Sequence, residues 1–306
     1  MSGDKYRVSI IVPTYDRCKL LMYTLKSILT QSMDKSDFEL IVVDDGSSDS
    51  TFRVVKSFEQ KVNLKYVYQT DRGFRPASAR NLGIKTAEGN LVVFVDSGTL
   101  LAKNCLESHV RFHRNQAEDV AVIGYILGYA YDQSSREELW NSIDPDDAGA
   151  SLEHLTARNQ YLDIREKVFA KYSDSIHMIR MPWTLFWGGH LSVKQKSLLQ
   201  VGMYDENFDG NWGGEDNDLG YRLHEGGIPI HLCREARVLH LPHTDPSQVG
   251  EKNGYKNCRY FHQKYNTPET QLFLDYCVQE VSHQIQNQDV IDFHELSIAS
   301  LGKSIS

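Results

Sequence analysis

Residues 38–49 read FELIVVDDGSSD: a short apolar, β-branched run, then two adjacent carboxylates, a glycine and a pair of serines. An apolar run of this length closed by turn residues is the signature of a buried strand. The polar half supplies a turn and an N-cap for a helix at about 51–60. The same grammar continues on either side. Residues 7–12 (RVSIIV) form a strand that stops at Pro13, 64–68 a third, and 91–95 (LVVFV) a fourth that ends at Asp96. Leu21, Leu25, Ile28 and Leu29 keep helical spacing within 20–29, and 77–87 reads as a helix closed by Gly89. Strands alternating with helices predict an α/β fold, a mostly parallel, Rossmann-like sheet sandwiched by helices. Ligands gather at the carboxyl ends of such strands, where Thr14, Asp44, Asp45 and Asp96 fall.

Composition narrows the classes of function. The 306 residues are 41% hydrophobic and 24% charged, ordinary for a globular chain able to bury a substantial core. A formal charge of −8 argues against nucleic acid as a partner, because phosphates demand a basic field. The five cysteines (Cys18, Cys105, Cys233, Cys258, Cys277) are scattered without a C-x-x-C pair, which reads as reduced thiols in a cytoplasmic protein, neither a disulfide framework nor a zinc site. The N-terminal MSGDKYRVSIIV passes straight into a strand pattern without a signal-peptide core, and the apolar run 120–130 is too short to span a bilayer. The expectation is a soluble cytoplasmic protein. Neither G-x-G-x-x-G after the first strand nor G-x-x-x-x-G-K-[ST] occurs, so a diphosphate needs a metal or Arg72, Arg75 and Arg80 to balance its charge.

Further along, 103–113 reads as a helix and 120–125 as a strand. Residues 132–175 are polar, with helical spacing over 155–170, and form an insertion suited to a lid or to substrate-specific walls. Residues 181–193 (MPWTLFWGGHLSV) gather Trp183, Trp187 and Gly188-Gly189 ahead of a helix at 194–201. Two short strands, 228–232 and 236–239, lead into His240-Leu241-Pro242-His243. From 250 to about Val281 the tail carries helical patches with Tyr255, Tyr260, Phe261 and Tyr265, and either wraps the domain or forms a dimer surface.

The chemistry concentrates in residues 208–227, FDGNWGGEDNDLGYRLHEGG. Leu219 and Leu223 share one helix face, which puts Glu215 and Asp216 in the first turn, where the helix dipole favours their ionised forms. Behind a flexible Gly213-Gly214 pair and beside the Trp212 indole, such a carboxylate has what a general base needs; an acidic cap on a surface helix is the plainer alternative. Asp96, in Asp96-Ser97-Gly98, and a histidine from a later strand end, His240 before His243, supply oxygen and nitrogen for one divalent cation, which would neutralise a leaving diphosphate.

Five ordered blocks carry a resemblance: VSIIVPTYDR, LIVVDDGSSD, GFRPASARNLGIKTAEG, the strand-terminal Asp96, and WGGEDNDLGYRL. Together they resemble family 2 glycosyltransferases of the GT-A fold, within them the transferase modules of chondroitin-type capsule polymerases, and the WGGED segment resembles animal β-1,4-galactosyltransferases. The resemblance implies that Pro13, Thr14 and Tyr15 hold uracil and ribose, that Asp45 accepts the uracil N–H while Asp44 supports the strand end, and that Arg75, Asp96 and Ser97 complete the nucleotide site. It implies Mg2+ or Mn2+ on Asp96 and His240, Asp216 as the base, and Glu215, Trp187, Gly188, Trp212 and Gly214 around donor and acceptor sugars. Asp218 takes neither role. The family's D-x-D metal motif carries an acid where this chain has Gly98.

The expected enzyme is an inverting hexosyltransferase that moves a sugar from a UDP-sugar to a hydroxyl of a glycan or small molecule. Its GT-A domain would occupy 1–249, with a nucleotide half at about 1–125, an inserted segment at about 130–180, an acceptor half at about 180–249, and a C-terminal helical extension over 250–306. Two rivals remain at this point. A sugar-1-phosphate nucleotidyltransferase would carry a glycine-rich basic loop where this chain has PTYDRCK, and a catalytically impaired binder would not need Glu215-Asp216.

Overall fold

The structure is a computed structural model and describes residues 8–130, 132–243 and 251–280. The proposed strand start at Arg7, and the tail from Val281 on, lie outside the described residues. Eight strands form one sheet: β1 (Val8–Thr14), β2 (Phe38–Asp44), β3 (Leu64–Tyr68), β4 (Leu91–Val95), β5 (Thr99–Leu101), β6 (Ala121–Leu127), β7 (His190–Lys194) and β8 (Ile230–His240). Their order is β3-β2-β1-β4-β7-β6-β8-β5. The first four are parallel and carry the alternating helices that the sequence predicts. Ile10, Ile11, Val12, Leu40, Ile41 and Val42 are all wholly buried, as a strand covered on both faces requires.

The second half keeps β6 and β8 parallel and adds antiparallel pairs to this mostly parallel sheet. β7 runs antiparallel to both β4 and β6, and β5 antiparallel to β8, so the sheet is mixed. The two short strands expected at 228–232 and 236–239 are one long strand, Ile230–His240, whose register against β6 shifts at Gly124/Tyr125. A bulge there keeps pairing continuous while breaking the apolar pattern in the middle. The consequence for the site is direct: Thr99 pairs with His240, and the Leu241 amide donates to the Gly98 carbonyl, which lays the end of β8 along the Asp96–Gly98 turn.

The insertion is helical, over Gln133–Ser142, Ala148–Ala157 and Glu166–Lys171. It is pinned to the sheet by a wholly buried ion pair, Arg165 with Asp163 at 2.6 Å. Arg165 also donates to the Leu185 and Gly124 carbonyls, and Asp163 accepts from the Ile126 amide, so every strong hydrogen-bonding direction of the pair is used.

Two helices, Glu251–Tyr265 and Pro268–Glu280, close the described chain. Cys258 and Cys277 form a disulfide between them, which corrects the expectation that all five thiols are reduced. The hairpin brings together two cysteines 19 positions apart, at a Cα separation of 6.6 Å, a pairing that spacing alone does not reveal. Cys18, Cys105 and Cys233 are free thiols. No helix among the described residues is long and apolar enough to cross a membrane.

Candidate active site

The centre of the site is Arg80, on the helix Pro76–Thr86, whose side chain is only 5% exposed. Its guanidinium donates to Asp96 Oδ1 and to Glu215 Oε1, both at 3.1 Å, and lies 3.8 Å from Asp216 Oδ1. Three carboxylates from the end of β4 and the first turn of the helix Glu215–Glu225 thus share one cation. In the sequence, Arg80 stands out only as a charge near a diphosphate and as the opening of helix contacts with Asn81. Nothing in its spacing to Asp96 or Asp216 marks it as the hub.

Tyr204 completes the cluster and was missed altogether. Its hydroxyl donates to Asp216 Oδ1 at 3.2 Å, and the Arg80 guanidinium sits 5.4 Å from its ring centre. The Asn81 amide fixes Tyr204 by donating to its carbonyl and accepting from its N–H, at 2.9 and 2.8 Å. Gly188 is required by space: a Cβ there would stand 2.3 Å from Asp216 Oδ1 and 2.8 Å from Arg80 Nη2.

The helix dipole does not decide the state of the two acids. Burial first, and then the neighbouring Asp216 charge, push Glu215 up to about 7 against the pull of Arg80. Burial also raises Asp216, with Arg80 and the hydrogen bonds from Gly188 and Tyr204 opposing. The expectation that both carboxylates sit comfortably ionised is corrected accordingly. The pair holds a proton well above the ordinary carboxylate range, because two adjacent acids in a closed site cannot both charge cheaply. Asp218 is wholly buried and bound by Arg222, Lys264 and Tyr265.

The nucleotide-side candidates assemble at the ends of β1 and β2. Asp45 accepts from Gln69 and from the Arg75 guanidinium, both at 2.6 Å, and burial still raises its pKa. Asp45 and Arg75 therefore meet as an ion pair. Asp44 accepts from the Tyr66 hydroxyl and the Gly46 and Ser47 amides, the supporting position foreseen for it. Tyr15 is exposed and donates to Asp71, next to Pro13 at the end of β1. Thr14 and Ser97 are buried and face one another, Oγ1 to Oγ at 3.4 Å, bracing the two strand ends.

On the sugar side, Trp212 is 54% exposed, whereas the Trp187 ring lies under the Arg165 guanidinium, 5.0 Å from its centre. Trp187 is further tethered by its N–H to the Thr184 carbonyl, so the two indoles are not equivalent platforms. Gly214 caps the helix Glu215–Glu225 at φ +90°, a left-handed conformation suited to glycine.

Asp96 is the open acid of the cluster, 42% exposed at its side chain. The His240 ring stacks on Tyr129 with centroids 4.9 Å apart, and His243 lies 5.0 Å from it. A carboxylate oxygen and an imidazole nitrogen along the same turn are a donor set that fits a divalent cation of the Mg2+ or Mn2+ type. Gly98 has a backbone reason: at φ +103° it makes the turn that brings Asp96 against Thr99, where an acidic side chain would be strained.

A second polar cluster lies two residues along from Gly188. Cys105, His109 and His190, all buried, form the group of three potential metal ligands found among the described residues. Their contacts form a hydrogen-bonded chain: Cys105 to His190 at 3.3 Å, His190 to His109 at 2.9 Å, His109 to Ser192 at 2.9 Å and Ser192 to His113 at 2.8 Å. Burial pulls His190 down to about 3 and His113 to about 4, so the rings are neutral at pH 7.

Residues 9–159 match the model of glycosyl transferase family 2, and residues 171–244 the model described as the N-terminal domain of galactosyltransferase. The chain is 34% identical over 266 residues to validoxylamine A glucosyltransferase of Streptomyces hygroscopicus subsp. jinggangensis, covering 87% of this chain and 63% of that protein. It is 30% identical to the uncharacterized glycosyltransferase YfnE of Bacillus subtilis, covering 85% and 71%. Chondroitin synthase of Escherichia coli is 33% identical over 76% of this chain and 34% of its own length. The chain spans 63% and 58% of the two validoxylamine A glucosyltransferases that it matches. Among solved structures, Staphylococcus aureus TarS in complex with UDP-GlcNAc superimposes with a TM-score of 0.60 at 20% identity, over 90% of this chain and 71% of that one, which speaks for the fold alone. Motifs, sheet order and relatives converge, and the chain belongs to glycosyltransferase family 2, built on the GT-A fold.

Proposed function

We propose that the chain transfers a hexose from a UDP-sugar to a hydroxyl group with inversion, and that Asp216 is the base. The observation that carries this reading is the Arg80-centred cluster. It holds Asp216 at the ends of the central strands β4 and β7, against Gly188 and Tyr204, with a proton affinity raised by burial. A base works best when its pKa approaches the working pH. Asp216 takes the acceptor hydroxyl's proton as that oxygen attacks C1, while UDP leaves from the opposite side through an oxocarbenium-like transition state. Glu215, tied to Arg80, hydrogen-bonds the sugar or acceptor, and Trp212 offers its exposed ring as a stacking surface.

In the nucleotide site, Asp45 exchanges part of its pairing with Arg75 for the uracil N–H, and Tyr15 lies against the base. Asp96 and His240 would hold Mg2+ or Mn2+, which supplies charge neutralisation for the departing diphosphate. The mannosyltransferase PcManGT of Pyrobaculum calidifontis, in complex with GDP-Man and Mn2+, shares the fold at a TM-score of 0.57, which supports that reading by analogy. The 34% identity to a validoxylamine A glucosyltransferase across most of this chain favours a small polyhydroxylated acceptor over a growing polymer.

The test is UDP release from a panel of UDP-sugars, with and without polyol and oligosaccharide acceptors, in Mg2+, Mn2+ or EDTA. Acceptor-stimulated UDP release with a UDP-hexose, lost in EDTA, is the expected result. Absence of binding and turnover for every UDP-sugar contradicts the donor, and indifference to EDTA contradicts the cation at Asp96 and His240.

A further inference from the structure

The helix Glu251–Tyr265 lies outside both stretches matched by the family models, yet it reaches the loop that leads into the catalytic helix. Asn257, 2% exposed, projects its amide nitrogen into that loop. It donates to the Phe208 carbonyl at 2.9 Å, to Asn211 at 3.3 Å and to Gly213 at 2.7 Å. Three acceptors around one NH2 group are more than ordinary packing places there, and the loop needs them. Gly210, Gly213 and Gly214 all have positive φ within five residues, so the backbone turns too sharply to pair its own carbonyls. Trp212 lies between the second and third of these contacts, and Glu215 and Asp216 follow immediately.

The flanks of the loop are held by the same helix. Lys264 binds Asp205 before the loop and Asp218 after it, both at 2.7 Å. From the opposite side the Gly210 amide donates to the Phe74 carbonyl at 2.7 Å, and the Asp209 carboxylate accepts from the Ala77 and Ser78 amides at 2.9 and 3.1 Å, which leaves 211–213 to Asn257. Asn257 is therefore the internal pin of a segment whose two ends are already fixed.

We infer that Asn257 is a positioning residue that holds the Trp212 loop in the shape that binds the sugar acceptor. This inference rests on the transferase reading above. It gives the C-terminal hairpin a part in substrate recognition, although the residue touches no reacting atom. The nucleotide-side residues Tyr15, Asp45 and Arg75 make their contacts elsewhere, so nucleotide affinity does not depend on the pin.

The chemistry makes a sharp test, because the donor role and the packing role predict opposite orders of damage. Asn257→Asp keeps the volume but turns a donor into a carboxylate facing three carbonyl oxygens, whereas Asn257→Ala removes the group. Transfer kinetics, UDP affinity and hydrogen exchange at residues 208–214 are compared for wild type and both variants. The expected result is a rise of tenfold or more in acceptor KM, larger for N257D than for N257A, with UDP affinity within twofold of wild type and faster exchange in the loop. If N257D does not fold, the split between acceptor KM and UDP affinity in N257A decides alone. Acceptor KM within twofold of wild type overturns the inference, as does N257D being milder than N257A. If wild type turns over no UDP-sugar, the transferase reading fails separately, and the exchange data still judge the pin: unchanged exchange at 208–214 overturns it.

Discussion

Gly188 lies against Asp216 and Arg80, and two residues further on His190 lies against Cys105 and His109. Both neighbourhoods are clusters of titratable groups on the same stretch of chain, and they solve the problem of burial differently. The histidine chain runs through Ser192 to His113, and burial strips its rings of charge. Its members are joined in one hydrogen-bonded chain and none is open to solvent. The carboxylate cluster keeps three acids around a single guanidinium and leaves Asp96 open to solvent. A closed neutral network contributes to the specificity of the core. An unbalanced, half-open one keeps a group poised to change its protonation, which is what proton transfer requires.

The comparison breaks first at Asp216. Asp216→Asn keeps the shape and removes the base, and is expected to lower transfer by about 10²–10⁴-fold with UDP affinity retained; turnover equal to wild type removes the proposed role. Gly188→Ala comes next. Its methyl would stand 2.3 Å from Asp216 Oδ1, against helix and strand termini that cannot readily yield, so the carboxylate must turn away. Transfer should fall at least roughly tenfold with little change in melting temperature; full activity would show that the Asp216 rotamer is not critical. Tyr204→Phe is smaller. It removes one hydrogen bond from Asp216, on the order of a tenfold loss for a charged acceptor, and it should move the acid limb of activity to higher pH.

The smallest effects are on stability, and here the two clusters carry opposite signs. His190 and His113 titrate near 3 and 4 when folded against 6.5 when unfolded, so the unfolded chain takes up protons first and their contribution is lost as pH falls below about 6.5. Glu215 keeps its proton to about 7 when folded but releases it near 4.5 when unfolded, so its contribution is lost as pH rises between those values. Denaturation midpoints across this range should show His113→Gln flattening the acid side and Glu215→Gln flattening the neutral side. Identical profiles for the two variants would contradict the contrast.

The division between what the sequence shows and what it conceals follows the same line. Strand-terminal residues such as Asp44, Asp45 and Asp96 are legible because a parallel strand is an unbroken apolar run with a visible end. Asp216 is legible because a glycine pair and a helix start precede it. Arg80 and Tyr204 are not, because what makes them central is a meeting of a helix face with distant turns, and no periodicity records that. The long strand Ile230–His240 reads as two because its bulge interrupts the apolar alternation. Asn257 and the Cys258–Cys277 pair lie on a hairpin whose contacts are long-range. The tail reads as helical, and where it docks is written only in three dimensions.

The most direct measurement is the pH dependence of kcat/KM for sugar transfer by the wild-type chain, set beside Glu215→Gln. Burial raises Asp216 and the Asp96 charge adds to it, so the acid limb should lie clearly above the ordinary carboxylate range; Glu215, which keeps its proton to about 7, is neutral while Asp216 titrates, so Glu215→Gln should leave the limb raised. Activity that stays flat down to pH 4, or a limb that Glu215→Gln drops into the ordinary carboxylate range, would contradict the account of Asp216 as a base tuned by burial.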